Sequence, residues 1–138
     1  MTGAKPIVLR RPASSSPAAA IAGFGLGAVT IDQLHAQAKP PVFYIGEIDV
    51  KNADAYSKEY APKAQATIRK NGGKILAAGS NITVIEGAPP KGRIAVIQWD
   101  SVEKIKAWRN TAEYKEARKI GDKYATFRAF AVAGVPQP

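Results

Sequence analysis

The feature that most constrains this chain is the order in which its hydrophobic period changes. Between Val42 and Gly134 the apolar residues recur with a period of about 2, then about 3.6, and this cycle runs twice before a final strand-like stretch. VFYIGEIDV (Val42 to Val50) is rich in β-branched and aromatic residues, follows the stiff pair Pro40-Pro41, and predicts a strand. A helix is predicted from about Ala53 to Lys70. Asn52 is its cap, Asp54 lies in its first turn, and Tyr56, Tyr60, Ala64 and Ile68 share one face. Pro62 predicts a kink or interruption, and Asn71-Gly72-Gly73 a stop.

KILAAG and NITVIEG predict a second strand, broken by a bend or bulge near Gly79-Ser80, with a turn at GAPPKG. RIAVIQWD predicts a third strand. A helix follows from about Val102 to Arg109, capped by an Asp100–Glu103 capping box or, as the rival, by Ser101. Thr111 caps a further helix, Ala112 to Ile120, closed by Gly121, and YATFRAFAVAG predicts the fourth strand. The order β-α-β-β-α-β, with its second helix in two pieces, defines an α+β class. It is the ferredoxin-like arrangement, a four-stranded antiparallel sheet with helices on one face. The first, third and fourth strands carry apolar residues on both sides. The face without helices therefore needs a cover, and a second copy of the chain supplies the simplest one, giving a homodimer.

Residues 1–38 read differently. Lys5, Arg10 and Arg11 precede SSSPAAAIAGFGLGAVTI, and Ala36-Gln37-Ala38 closes the segment. A basic start, a short apolar middle and an A-x-A end form the pattern of a secretory signal peptide. That pattern favours a cleavable signal, and a periplasmic or secreted address, over an uncleaved membrane anchor or a soluble tail. Two domains are thus expected, a signal or anchor segment at 1–38 and a folded domain at 39–138, with membrane contact only through the first segment if it stays uncleaved.

Cleavage after Ala38 would remove His35, the only histidine, and the chain has no cysteine. Ser-His-Asp and Cys-His catalysis and His- or Cys-ligated zinc are then excluded, and no metal or cofactor site is expected. Loss of Lys5, Arg10, Arg11 and Asp32 takes the net charge only from +9 to +7. The basic stretch KEARKIGDK suits the end of a helix, where cations complement the dipole. It lacks the interleaved aromatics of a nucleic-acid surface, so no nucleic-acid partner is expected. NGGK follows a helix and precedes a strand, the reverse of a phosphate loop.

Alternation along the first strand puts Phe43, Ile45, Glu47 and Asp49 on one side and Tyr44, Gly46, Ile48 and Val50 on the other. In a ferredoxin-like sheet the first strand lies between the third and fourth. The fourth offers Tyr124, Thr126, Arg128 and Phe130 on one face; the third offers Gln98 on one face and Arg93 with Trp99 on the other. Glu47 and Arg128 are the candidate catalytic residues, expected to pair on the dimer-facing side. A purely structural ion pair is the competing and favoured reading. Tyr56, Tyr60, Trp99 and Tyr114, together with Trp108, are candidates to line a pocket for a small apolar or aromatic ligand. Ordinary core packing is the favoured alternative, since Tyr56 and Tyr60 keep helical spacing.

The pieces YIGEIDV, Asn52 with AY, NGGKILAAG, VIEG, GRIAVIQWDS, AWRNTAEY and FAVAGV, in this order, resemble the domain of unknown function 1330 family. That family lies within the dimeric α/β-barrel, ferredoxin-like superfamily, and the resemblance covers nearly all of residues 42–135. It implies a homodimer whose two sheets pack into a barrel. Members of the superfamily include heme-free monooxygenases and lactone isomerases, which implies a fold-level analogy to small-molecule enzymes. Gln98 stands where the family often has a glutamate, and Ala133-Gly134 where it often has Glu-Gly, so a catalytic role for either carboxylate does not carry over. Two functions are expected to compete: a small-molecule-handling protein, including a cofactor-independent enzyme, and a non-catalytic ligand-binding or structural dimer of the cell envelope.

Overall fold

The computed structural model describes residues 39–138. The expected signal or anchor falls on residues 1–38, outside them. Strand β1 spans Val42–Val50, β2 Lys74–Gly79, β3 Arg93–Trp99 and β4 Ala125–Ala133. They form one antiparallel sheet in the order β2-β3-β1-β4. Helix α1, residues 53–70, joins β1 to β2. Helices α2 (Val102–Arg109) and α3 (Ala112–Gly121) join β3 to β4. Among the described residues no helix is long and apolar enough to cross a membrane.

Local chemistry explains the boundaries. The Asn52 side chain accepts from the Ala55 N–H at 3.1 Å, satisfying a donor that the first helical turn would leave orphaned. Pro62 then interrupts α1, as expected. A proline ring has no N–H to offer and crowds the carbonyl four residues back. The chain opens into a π-helical turn, Tyr56–Tyr60, in which the Ala61 N–H reaches the Tyr56 carbonyl, before α-helix resumes over Ala61–Lys70. The helix ends in a Schellman motif. Gly73 N–H donates to the Ile68 carbonyl and Gly72 N–H to the Arg69 carbonyl, with Gly72 at φ 96°, a conformation that favours glycine.

Two expectations need correction here. NITVIEG is not strand: β2 stops at Gly79, which pairs with Ile94 near the start of β3. Beyond that point β3 offers no further partner, and a β-prone stretch without one has nowhere to place its backbone donors. The break expected near Gly79-Ser80 is there as a bend at Ser80, and a further register slip with β3 lies between Ile75 and Ala77. At α2 the cap is Ser101, whose hydroxyl accepts from Lys104 N–H, and not the Asp100–Glu103 box. Thr111 caps α3 in the same way.

The core lies between the sheet and its helices in two neighbouring clusters. One joins Val42, Ile97 and Trp99 of the sheet to Ile68, Ile105, Trp108 and Tyr114. The other joins Ile48 and Ala125 to Tyr56, Tyr60, Ala64 and Ala117. Trp108 is anchored as well as buried: its indole N–H donates to Thr67 Oγ1 at 3.0 Å, and that hydroxyl donates to the Ala64 carbonyl at 2.8 Å. The opposite face of the sheet carries no helix. Phe130 and Val132 are exposed there beside the half-buried Phe43, Ile45, Ile94 and Val96.

Candidate functional site

One register row crosses all four strands with nothing larger than a methyl group. Ala78 of β2 stands opposite Ala95 of β3, Ala95 opposite Gly46 of β1, and Gly46 opposite Ala129 of β4. Alternation sends these positions toward the helices. No side chain of this row fills the space between the sheet and the helices at its middle, and a cavity of about 70 Å³ remains there. One water needs roughly 10–15 Å³ by comparable measure, so the space exceeds a single solvent site severalfold. Tyr56, Tyr60 and Ala64 of α1 line it from above, and Tyr44, Trp108 and Tyr114 close one side. Arg93, Gln65 and the exposed Ala78 border it on the side of the edge strand β2.

The π-helical turn matters to this arrangement. It carries Tyr56 and Tyr60, which both face the sheet with ring centroids 5.2 Å apart. Tyr60 also packs on Phe127 at 5.3 Å, over a helix α3 that carries glycine at position 121. A side chain at Gly121 would come within 2.5 Å of the Tyr60 ring.

Four tyrosine hydroxyls, of Tyr44, Tyr56, Tyr60 and Tyr114, are prominent among the polar groups of the cavity, with Gln65 and Arg93 at its border. Burial pushes the Tyr60 hydroxyl well above the usual tyrosine range, with neighbouring tyrosines adding to the effect. Burial also raises Tyr56, partly offset by Arg93, and raises Tyr44, partly offset by Arg109. These hydroxyls therefore stay protonated at neutral pH and serve as hydrogen-bond donors, not bases. Two are polarised from behind: Tyr44 accepts from Arg109 at 3.2 Å and Tyr114 from Arg118 at 3.3 Å. No carboxylate, histidine or lysine lines the cavity among the described residues.

Of the residues singled out from the sequence, Tyr56, Tyr60 and Tyr114 line the cavity, as does Trp108. Trp99 does not. It is sealed beneath at 1% exposure, tilted against Trp108 at 5.0 Å, and its indole N–H has no partner among the described residues. Glu47 and Arg128 do pair, Arg128 Nε donating to Glu47 Oε1 at 3.1 Å, but on the helix-free face of the sheet. Arg128 borders the cavity within its strand, yet its guanidinium lies on Glu47 and over the Phe130 ring. Tyr124 is not on that face either: it precedes β4, packs against the helix-side cluster and donates its hydroxyl to Glu59 at 2.9 Å. Sequence reasoning missed the cavity's floor. The only signal for it was glycine or alanine at a helix-facing position of each strand, which becomes a row only once the register is known.

A four-stranded antiparallel sheet in the order β2-β3-β1-β4, with helices against one face, defines a ferredoxin-like α+β protein. Within that class the chain belongs to the family described as domain of unknown function (DUF1330), whose model matches residues 41–135. Among solved structures it is similar to a protein of unknown function from Rhodopseudomonas palustris, at 16% identity and TM-score 0.60, over 79% of this chain and 93% of that one. It is also similar to SnoaB, a cofactor-independent oxygenase from Streptomyces nogalater, at 8% identity and TM-score 0.53, over 71% of this chain and 96% of that one. A third is a dimeric protein of unknown function and ferredoxin-like fold from Bacteroides fragilis, at 14% identity and TM-score 0.52, over 68% and 96%. Identities this low speak to the fold alone. No curated protein matches the chain.

Proposed function

We propose that this protein handles small molecules, taking a compact apolar or aromatic compound into the cavity between α1 and the sheet. The observation that carries this reading is the row Ala78–Ala95–Gly46–Ala129, which opens a space that the surrounding tyrosines line with donors. Pockets of this composition, mostly apolar with a few oriented polar groups, suit binding of small organic compounds. Protonated hydroxyls, and a lining without carboxylate, histidine or lysine among the described residues, favour binding and orientation over acid–base turnover. A second reading, a cofactor-independent enzyme acting on the same compound, draws support from the hydroxyls of Tyr44 and Tyr114. Each accepts from an arginine and so is a stronger donor to charge developing on a substrate oxygen. The likeness of fold to SnoaB is in keeping with this second reading.

We further propose that two copies pair through the helix-free sheet face, in an exported protein. Exposed Phe130 and Val132, and the dimeric ferredoxin-like neighbour, support the pairing. The basic-apolar-AQA pattern of residues 1–38 supports export.

Titration with phenol, a neutral single-ring probe, followed by NMR tests the cavity reading. Resonances of Tyr56, Tyr60 and Ala95 should shift. Gly46→Val should abolish the shifts without unfolding the protein, because a Cβ at Gly46 meets only ordinary contacts, 3.6 Å to Tyr44 and 3.8 Å to Ala95. Shifts confined to the other face of the sheet would overturn the reading.

A further inference from the structure

Arg93 differs from the other arginines near this layer. Arg109 has the Tyr44 hydroxyl, Arg118 has Asp122 and the Tyr114 hydroxyl, and Arg128 has Glu47. Arg93 is half-buried, lines the cavity, and among the described residues has no carboxylate within 4.0 Å and no side-chain hydrogen bond. Among the described residues its partner is the face of the Tyr56 ring, 5.2 Å from guanidinium carbon to centroid. A ring face supplies no oxygen acceptor, so the guanidinium N–H donors have no acceptor among the described residues. A guanidinium edge offers a fork of donors matched to a planar oxyanion, and partial removal from water strengthens the pairing.

From this we infer that Arg93 is an anion anchor, and that the compound the cavity takes is a single-ring aromatic bearing a carboxylate or similar planar oxyanion. The ring lies among Tyr56, Tyr60 and the small-residue floor, and the anion meets Arg93 at the border beside β2. Gln65, half-buried on the same border, offers an amide donor to the same group. The inference rests on the cavity reading above and adds the charge of the ligand to it.

Benzoate and benzamide have nearly the same shape and differ in charge, so their affinities for the full chain separate the two claims. Wild-type protein should bind benzoate about tenfold or more tightly than benzamide, the scale of a charge-assisted hydrogen-bonded pair. Arg93→Gln should remove that preference, lowering benzoate affinity far more than benzamide affinity, while Arg93→Lys should keep part of it, as a point charge without the fork. Equal binding of the two probes by the wild type, or benzoate affinity unchanged in a folded Arg93→Gln, overturns the anchor and leaves the cavity reading standing. Binding of neither probe overturns both. The wild-type comparison holds even if a variant fails to fold.

Discussion

Glu47 and Arg128 stand directly opposite each other on β1 and β4, and the Arg128 Nε donates to the Glu47 Oε1 at 3.1 Å on the face of the sheet that has no helices. In a single subunit the pair is open to water, with side-chain exposures of 23% for Glu47 and 68% for Arg128. A pair so placed contributes at most about 1 kcal/mol to the subunit's own stability. Covered by a second copy, the two charges lose water, and breaking such a pair costs roughly 3–5 kcal/mol because one charge is left uncompensated. Glu47→Gln should therefore weaken self-association by more than about tenfold while changing the unfolding of the dilute subunit by less than about 1 kcal/mol. Sedimentation and denaturant titration read the two effects separately. Unaltered self-association would remove the pair from the proposed interface.

The buried tyrosines set the behaviour of the domain in alkali. Burial raises Tyr44, Tyr56 and Tyr60 above the ordinary 10.0. The unfolded chain therefore releases these protons at lower pH than the folded one does. Stability from this source is fully present below pH of about 10 and is lost as pH climbs from there toward the folded-state values, since the unfolded state then holds fewer protons. Tyrosinate absorbance should rise cooperatively with the loss of secondary structure. A smooth, reversible titration of all the tyrosines in folded protein would contradict the burial described here.

Gly121→Ala should cost about 1–3 kcal/mol, the usual range for overpacking a filled region. The added Cβ would lie 2.5 Å from Tyr60 Cδ1 and 3.1 Å from Phe127 Cζ, so the Tyr60 ring must move toward the cavity. A lowered melting temperature together with an altered near-ultraviolet dichroism is expected. A stability equal to wild type would show that α3 shifts away instead.

The two tryptophans offer an internal comparison. Trp108→Phe removes an indole N–H that donates to Thr67 Oγ1, whereas Trp99→Phe removes one with no partner among the described residues. Both substitutions delete the same atoms from the same core. Trp108→Phe should accordingly be the more damaging by about 1 kcal/mol, the net worth of a typical hydrogen bond. Urea denaturation of the two variants measures the difference, and an equal cost would mean that the Thr67 contact contributes nothing.

Much of this molecule follows from interactions short in sequence. Asn52, Ser101 and Thr111 cap helices because their side chains reach N–H groups three residues on, and Gly72 ends α1 because only glycine takes its φ at no cost. Strand alternation sorted Glu47 from Gly46 and Trp99 from Gln98 for the same reason, since successive side chains point to opposite faces whatever lies beyond. Ser101 and the Asp100–Glu103 box are rival caps one residue apart, and only the extended backbone at Ser101, whose hydroxyl takes the Lys104 N–H, decides between them.

The rest depended on what the chain meets after folding. NITVIEG has the composition of a strand, but strand is a property of pairs, and β3 has no residues left to pair with it. Ala78, Ala95, Gly46 and Ala129 are unremarked small residues in four separate strands until register aligns them into one floor. The same register sets Glu47 directly beside Arg128 on the helix-free face, where alternation had placed both, apart from the tyrosines of the helix side. Periodicity reports which way a side chain points. Which other side chains share that space is set by long-range pairing, and the cavity exists only at that level.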